Sequence, residues 1–312
     1  MKLSVIVPCK NEEGNVENIV KSLDSVLSDI AYEAIFINDG STDNTLNVLK
    51  ELHKKNKSKV KVISFSRNFM KEAAMYAGLI HARGEYICII DGDMQQNPNY
   101  LTDMLEFLDK NEDFDQVAMV QTKRKENFLS SFLKRCFYKV ISYLSDIEFV
   151  NAASDFRMFR KNVKEAILAF GEQNRFSKGI FAWIGFETKY MPYTVEERIS
   201  GKTKFNLFAN FKYAFDGILS FSTKPLKIAT ILGVLSSFAS FIYFIIIVFQ
   251  KLSYGIEAAG YASMMCIILF LGGLQLITIG ILGEYLAKTY LETKKRPIFI
   301  VKEKLGFDDE IL

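Results

Sequence analysis

Five short apolar runs, at residues 3–7, 34–37, 60–65, 86–90 and 116–120, are rich in β-branched side chains and read as buried strands. Between the first two, Val16, Ile19, Val20, Leu23 and Leu27 recur at helical spacing. Strand–helix alternation of this kind predicts a parallel sheet with helices on both faces, whose ligands bind beyond the carboxyl ends of the strands. Further along, the pattern changes twice. Phe128, Leu129, Phe132, Leu133, Cys136, Phe137, Val140 and Leu144 share one helical face beside Lys134, Arg135 and Lys139. Phe205, Phe208, Phe211, Phe215, Ile218 and Leu219 do the same beside Lys204 and Lys212. Aromatic faces with cationic edges suit a membrane interface, although core packing would produce the same stripe.

The third change is the strongest. No charged residue occurs in 228–249, and none in 258–283. At a rise of about 1.5 Å per residue, such helices are long enough for a hydrocarbon core of about 30 Å. Two adjacent spans predict a membrane hairpin. Lys224 and Lys227 precede the first, Lys288, Lys294, Lys295 and Arg296 follow the second, and the intervening 250–257 carries only Lys251 as a cation. The positive-inside bias therefore predicts both termini in the cytoplasm of a multi-pass protein of the plasma or inner membrane. The N-terminal run is too short for a signal peptide and meets Glu12 and Glu13 at once. The expected division is a catalytic domain over 1–203 containing the amphipathic segment 127–144, an interfacial helix over 204–222, membrane helices at 226–250 and 258–285, and a tail over 286–312.

The net charge of +3, with no basic stripe interleaved with aromatics, argues against nucleic-acid binding. Cys9, Cys88, Cys136 and Cys266 have no metal-type spacing, which fits a reduced compartment, and two histidines do not suggest zinc.

The candidate chemistry lies at the strand ends. The fourth run finishes in Asp91-Gly92-Asp93-Met94-Gln95, two carboxylates two residues apart with a glycine for a tight turn. Their oxygens can converge on a hard cation such as Mg²⁺ or Mn²⁺, which also binds substrate phosphates. Alone, Asp-x-Asp is ordinary turn chemistry. The other strands, however, end in Pro8-Cys9-Lys10-Asn11-Glu12, Asn38-Asp39-Gly40-Ser41-Thr42-Asp43 and Ser66-Arg67-Asn68 followed by Lys71. Four polar strand ends in one sheet are hard to explain as turns, and Asp43 is placed to cap the next helix.

This constellation resembles the family 2 glycosyltransferases of GT-A fold, most closely the polyprenyl-phosphate group that includes bactoprenol glucosyltransferases and dolichol-phosphate mannose synthase. The resemblance continues through Asp155-Phe156-Arg157, Arg175-Phe176, Lys178-Gly179, Trp183, Glu197-Arg198, Gly201-Lys202, Lys204, Pro225-Leu226, Gly272-Gly273, Gly283-Glu284-Tyr285 and Arg296-Pro297. Asn38 and Thr203 depart from it, standing where the family usually has Asp and Ser.

The fold so implied is α/β, a Rossmann-like, mostly parallel GT-A sheet followed by interfacial helices and a transmembrane hairpin. The implied reaction is inverting transfer of one sugar from a nucleotide sugar, UDP-glucose favoured, to undecaprenyl or another polyprenyl phosphate. By resemblance, Pro8, Asn11, Glu12, Asp39, Arg67, Lys71 and Asp91 line the nucleotide-sugar pocket, and Asp91, Asp93 and Gln95 hold the metal. Asp91, Asp93 and Asp155 are the catalytic set, Asp155 either orienting the sugar or acting as a base. A phosphate acceptor is already ionised, so it requires cationic positioning more than a strong base. Arg124, Arg135, Arg157, Arg175, Lys178, Arg198 and Lys204 are the candidates for that. The resemblance also implies a homo-oligomer in contact with membrane lipid. A GDP-mannose-using, dolichol-type synthase and a non-catalytic nucleotide-sugar-binding scaffold are the competing readings.

Overall fold

The computed structural model describes residues 1–122, 153–196, 217, 219–254 and 260–307. The chain divides into two compact units. One comprises Met1–Tyr138, Ile147–Leu207 and Arg296–Leu312; the other comprises Lys139–Asp146 and Phe208–Lys295.

In the first unit, strands β1 (Leu3–Cys9), β2 (Tyr32–Asn38), β3 (Val60–Phe65) and β4 (Tyr86–Ile89) pair in parallel in the spatial order β4-β1-β2-β3. They are buried almost throughout, which is why they read as continuous apolar runs rather than alternating ones. Helices α1 (Val16–Val26), α2 (Thr45–Lys55) and α4 (Tyr100–Lys110) contribute Ile19, Leu23, Leu49, Met104 and Leu108 to a core shared with Leu3, Val5 and Val7 of β1. Helix α3 (Met70–His81) covers the opposite face, where Ile6 and Ile37 lie. Gly78 of α3 sits so close to Ile6 that a Cβ there would overlap the isoleucine methyl.

The sheet extends beyond the expected five strands. Strand β6 (Ala153–Arg160) runs antiparallel between β4 and β5 (Gln116–Gln121), and β7 (Thr188–Tyr193) closes that side, parallel to β5. With β8 (Val301–Leu305) at the far edge, the order among the described residues is β7-β5-β6-β4-β1-β2-β3-β8. Helices α5 (Lys161–Leu168) and α6 (Ser177–Trp183) lie in the connection from β6 to β7.

The last strand corrects an expectation. The region after the second apolar helix is not simply a tail. Residues Val301–Leu305 return as β8, antiparallel on the free edge of β3. A charged, five-residue strand is well suited to an edge, because its lysines discourage further pairing.

The second unit contains two long helices, α7 (Lys224–Tyr254) and α8 (Tyr261–Thr293), each running past the C-terminal end of the uncharged span that predicted it. Their most apolar windows have no residue buried within the protein, and Phe238, Phe244, Leu269 and Phe270 are each more than three-fifths exposed. A soluble helix buries its apolar stripe; these present apolar side chains outward, as lipid-facing helices do. At the polar end, Tyr285 Oη donates to the Ser222 carbonyl at 2.6 Å and Lys288 Nζ to Ser220 Oγ at 3.0 Å. The amphipathic segment 127–144 and residues 204–216 lie outside the described residues.

The Gly78 contact yields a test of the packing. Gly78→Ala should destabilise the sheet unit by about 1–3 kcal/mol, since a methyl must displace Ile6 in a filled core. Thermal unfolding of the detergent-purified chain measures it; an unchanged midpoint would mean that Ile6 yields freely.

Candidate active site

The carboxyl ends of β1–β4 lie along one edge, and every loop leaving that edge is stitched to its neighbour. Asn11 adopts a left-handed backbone (φ 58°), its N–H donates to Ser41 Oγ at 3.0 Å, and its Oδ1 accepts the Thr42 N–H at 2.8 Å. The Glu12 N–H donates to Thr45 Oγ1 at 2.9 Å, and Glu12 Oε2 accepts from Asn15 Nδ2 at 2.6 Å. Asp43 Oδ1 receives both the Thr45 N–H (3.0 Å) and its hydroxyl (2.6 Å); it lies one residue before the N-cap of α2, Asn44, rather than at the cap itself. Asn11 and Glu12 therefore also build the loops. Pro8 lies in β1 opposite Ile37, and its carbonyl would stand 2.9 Å from a Cβ at Gly92. Only glycine lets the Asp-Gly-Asp turn approach β1 this closely.

Asp39 is 4% exposed at the end of β2, and its Oδ1 accepts the Phe69 N–H at 2.6 Å. Burial pushes its carboxyl above the ordinary range, only partly offset by the Phe69 N–H, Lys10, the Met70 N–H and Arg67. A ligand N–H or O–H aimed at Asp39 would favour its ionised form. Gly40 (φ 59°) packs against the backbone of Arg67 and Asn68, where a Cβ would come within 2.5 Å. Arg67 is exposed, with its guanidinium 4.1 Å above the Phe69 ring.

The centre of the site is a lysine between two carboxylates. Lys71, in the first turn of α3, places Nζ 2.6 Å from Asp91 Oδ1 and 2.8 Å from Asp155 Oδ2. The pairing of β4 with β6 sets this up: Ile89 faces Arg157 in antiparallel register, which brings Asp91 and Asp155 level with each other just beyond. Burial alone would raise the Asp155 pKa, but Lys71, Lys178 and Arg157 outweigh it and hold the carboxyl down at about 2. Lys71 in turn titrates well above its ordinary value: burial opposes its charge, and Asp91 and Asp155 overcome that opposition.

Asp91 is held from its other side by a residue that the motif reading missed. The buried Gln96 accepts the Asp91 N–H at 2.8 Å and donates Nε2 to Asp91 Oδ2 at 2.9 Å. Both Asp91 oxygens thus already serve protein donors. Asp93 Oδ1 accepts the Gln95 N–H at 3.2 Å across a turn in which Met94 is left-handed (φ 61°). Gln95 Nε2 donates to the Glu196 carbonyl at 3.4 Å, and the Glu196 N–H returns to the Gln95 carbonyl at 3.1 Å. The acidic turn and the end of β7's following loop are thereby tied together. Ser154, also missed, accepts from Gln96 Nε2 at 3.5 Å and from Tyr193 Oη at 3.4 Å. Nothing in a Gln-Gln dipeptide marks which amide turns inward, and Ser154 precedes its aspartate without any motif of its own.

The expected acceptor-binding cations separate. Lys178 is half-buried and close enough to influence Asp155. Arg157 is buried, stacked 3.8 Å from the Phe181 ring with its Nη2 donating to the Ser154 carbonyl at 3.3 Å, and its Nε has no hydrogen-bond partner among the described residues. Burial lowers its pKa to about 10, so it is charged at neutral pH. Arg175 is buried, and its guanidinium donates to the carbonyls of Phe170 (2.8 Å) and Ile167 (3.2 Å) and lies 4.2 Å over the Tyr76 ring, bracing the carboxyl end of α5. Arg124, Arg135, Arg198 and Lys204 lie outside the described residues.

Comparison with known proteins matches this architecture. Residues 4–168, just over half of the chain, fit the glycosyl transferase family 2 model, and residues 224–289 fit the GtrB C-terminal hairpin. The putative glycosyltransferase CsbB of Bacillus subtilis is 41% identical over 304 residues, covering 96% of this chain and 91% of that protein. The prophage bactoprenol glucosyl transferase homolog of Escherichia coli is 39% identical over 308 residues, covering 97% and 99%. The bactoprenol glucosyl transferase of Shigella phage SfX is 37% identical over 310 residues, covering 97% and 100%. Among solved structures, glucosyl-3-phosphoglycerate synthase from Mycobacterium tuberculosis, in complex with Mn²⁺, UDP and phosphoglyceric acid, superposes with a TM-score of 0.50 at 16% identity. The alignment covers 70% of this chain and 78% of that one, a likeness of fold. The chain is a glycosyltransferase and belongs to glycosyl transferase family 2, with the C-terminal hairpin of the GtrB type.

Proposed function

We propose that the chain transfers a single sugar from a nucleotide sugar, UDP-glucose favoured, to a polyprenyl phosphate at the cytoplasmic face of the membrane, inverting the anomeric centre. The observation that carries this reading is the Asp91–Lys71–Asp155 cluster at the carboxyl edge of the sheet, in a chain that also bears two outward-facing apolar helices. The bactoprenol glucosyl transferases among its full-length relatives favour glucose and a polyprenyl carrier.

Among the described residues no three His, Cys, Asp or Glu side chains form a metal-holding group. The donor set here is two carboxylates and an amide, Asp91, Asp93 and Gln95, which are hard oxygen donors. That number fits Mg²⁺ or Mn²⁺, because such ions keep waters and complete their shell with substrate phosphates. Asp93, assisted by Gln95, would hold the ion, with Asp91 on the side shared with Lys71. Bound there, the ion supplies charge neutralisation for a departing diphosphate.

The protein's own groups do the rest. Pro8, Asn11, Glu12, Asp39 and Arg67 surround the base and ribose, Asp39 accepting their hydrogen bonds. Asp155, kept ionised by Lys71, is a weak proton acceptor at neutral pH and instead orients sugar hydroxyls. The acceptor oxygen is already anionic; it forms the bond to the anomeric carbon as the bond to the diphosphate oxygen breaks, and the electron pair leaves on the diphosphate. Lys178 and Arg157, with Arg124, Arg135, Arg198 and Lys204 beyond the described residues, would position that acceptor phosphate.

Connectivity supports the orientation. Residues 301–305 follow the second apolar helix yet pair with β3, so the chain returns to the side of the catalytic sheet after crossing twice. With positive flanks inside, that side is cytoplasmic.

Asp93→Ala should reduce transfer of sugar to undecaprenyl phosphate at least a hundredfold with the fold retained, since removing electrostatic stabilisation of a leaving group costs about 3 kcal/mol or more of barrier. Full turnover by this variant, or by wild type in EDTA, would remove the metal site. For topology, single cysteines placed at Lys302 and Tyr254 in a variant without native cysteines should be respectively inaccessible and accessible to an impermeant thiol reagent in intact cells. Labelling at position 302 would overturn the orientation.

A further inference from the structure

We propose that the segment 296–307, beyond the membrane hairpin, is a strap that shapes the donor-nucleotide pocket, with Phe299 as a positioning residue for the nucleotide. The inference rests on the donor reading above and adds a determinant to it.

The strap grips β3 at the point where that strand becomes the pocket loop. Phe299 stacks on Phe65, with ring centroids 4.9 Å apart and planes at 18°, and meets Tyr76 of α3 edge-on at 6.4 Å. Phe65 meets Phe69 edge-on at 5.7 Å, and Phe69 carries the Arg67 guanidinium on its face at 4.1 Å. The Phe69 N–H is also the donor that holds Asp39, at 2.6 Å. One continuous series of ring contacts therefore runs from Phe299 to the two charged groups expected to face the nucleotide. The backbone reinforces it: the Ser66 N–H donates to the Ile300 carbonyl at 3.0 Å, one residue before Arg67.

The pairing itself is adapted to this point. Between Ser64 and Phe65 the β3–β8 register shifts: Ser64 faces Glu303 and Phe65 faces Val301. A bulge re-aims the local backbone and side chains, and such irregularities gather beside functional sites. Below the bulge the strap is anchored independently. Glu303 pairs with Lys50 at 2.8 Å, and Phe307 packs against His81 at 5.0 Å. If covering the β3 edge were the strap's only task, neither the bulge nor the aromatic series toward Arg67 would be needed.

The two roles separate kinetically. Loss of edge protection lowers the amount of folded enzyme, hence apparent kcat, and leaves KM alone. Loss of loop positioning weakens binding of the base and ribose, which are remote from the reacting carbon, and so raises KM for the donor while kcat is kept. Phe299→Ala in the full-length, detergent-purified enzyme should raise KM for UDP-glucose about three- to tenfold, the range of one lost aromatic pairing and its loop order. Kd for UDP, measured by equilibrium binding, should rise in parallel. Phe299→Tyr should restore both, and Phe299→Leu, which keeps the bulk without the ring stack, should fall between; the leucine variant carries the test if the alanine variant does not fold.

Wild-type Kd values with Phe299→Ala or Phe299→Leu, while Asp39→Asn weakens UDP binding, would overturn the strap and keep the donor pocket. A uniform loss of kcat with KM unchanged would reduce β8 to edge protection, again against the proposal. Absence of binding of either UDP or GDP to the wild-type enzyme would overturn the donor reading and the strap with it.

Discussion

The site depends on a single cation, Lys71, set between Asp91 and Asp155. Two carboxylates brought level at the ends of adjacent strands repel, and partial burial strengthens that repulsion by lowering the local dielectric. A lysine between them turns a destabilising arrangement into a cohesive one. It does so from a third element: Asp91 follows β4, Asp155 belongs to β6, and Lys71 begins α3. This interaction joins the parallel half of the sheet to the antiparallel β6. Together with Lys178 and Arg157 it also holds the Asp155 carboxyl well below its ordinary range.

Around that centre, shape comes from close backbone approach and charge from desolvation. Gly92 lets the loop after β4 approach the Pro8 carbonyl of β1, and Gly40 lets the loop after β2 approach the backbone of Arg67 and Asn68. Burial pushes the Asp39 carboxyl above its ordinary range, and a ligand hydrogen-bond donor aimed at it would offset that cost. Glu72, next to Lys71, instead accepts the N–H of Ser177 at 3.0 Å and its hydroxyl, holding the start of α6. Adjacent charged residues on one helical turn thus serve different ends, one chemical and one architectural.

The first four strands and their polar ends were legible because parallel strands buried on both faces are uninterrupted apolar runs. Strand β6 was not read as a strand: Asp155, Arg157 and Arg160 interrupt its apolar pattern, and the partners of Asp155 and Arg160, Lys71 and the carbonyls of Phe114 and Leu108, are distant in sequence. Strand β8, Val-Lys-Glu-Lys-Leu, has the composition of a solvated tail and becomes a strand only because β3 offers it an edge. The local partners of Arg175 were not legible either: two carbonyls at the end of α5 lie within its reach, and a buried guanidinium takes the nearest acceptors that satisfy it. Gln96 and Ser154 escaped notice because an inward-turning amide or hydroxyl leaves no periodic trace.

The chain order adds a constraint of its own. The sheet begins at residue 3, yet its edge beside β3 is supplied by residues 301–305, synthesised after both apolar helices. Until then β3 exposes an unpaired edge, and the loop carrying Arg67 and Phe69 lacks the Phe299 stack and the Ile300 carbonyl that brace it. Closing a loop of this length is entropically affordable, since the penalty grows only logarithmically with the number of residues. The two apolar helices thus stand in the sequence between the body of the sheet and the strand that completes its edge, so the brace on the Arg67 loop forms last in chain order.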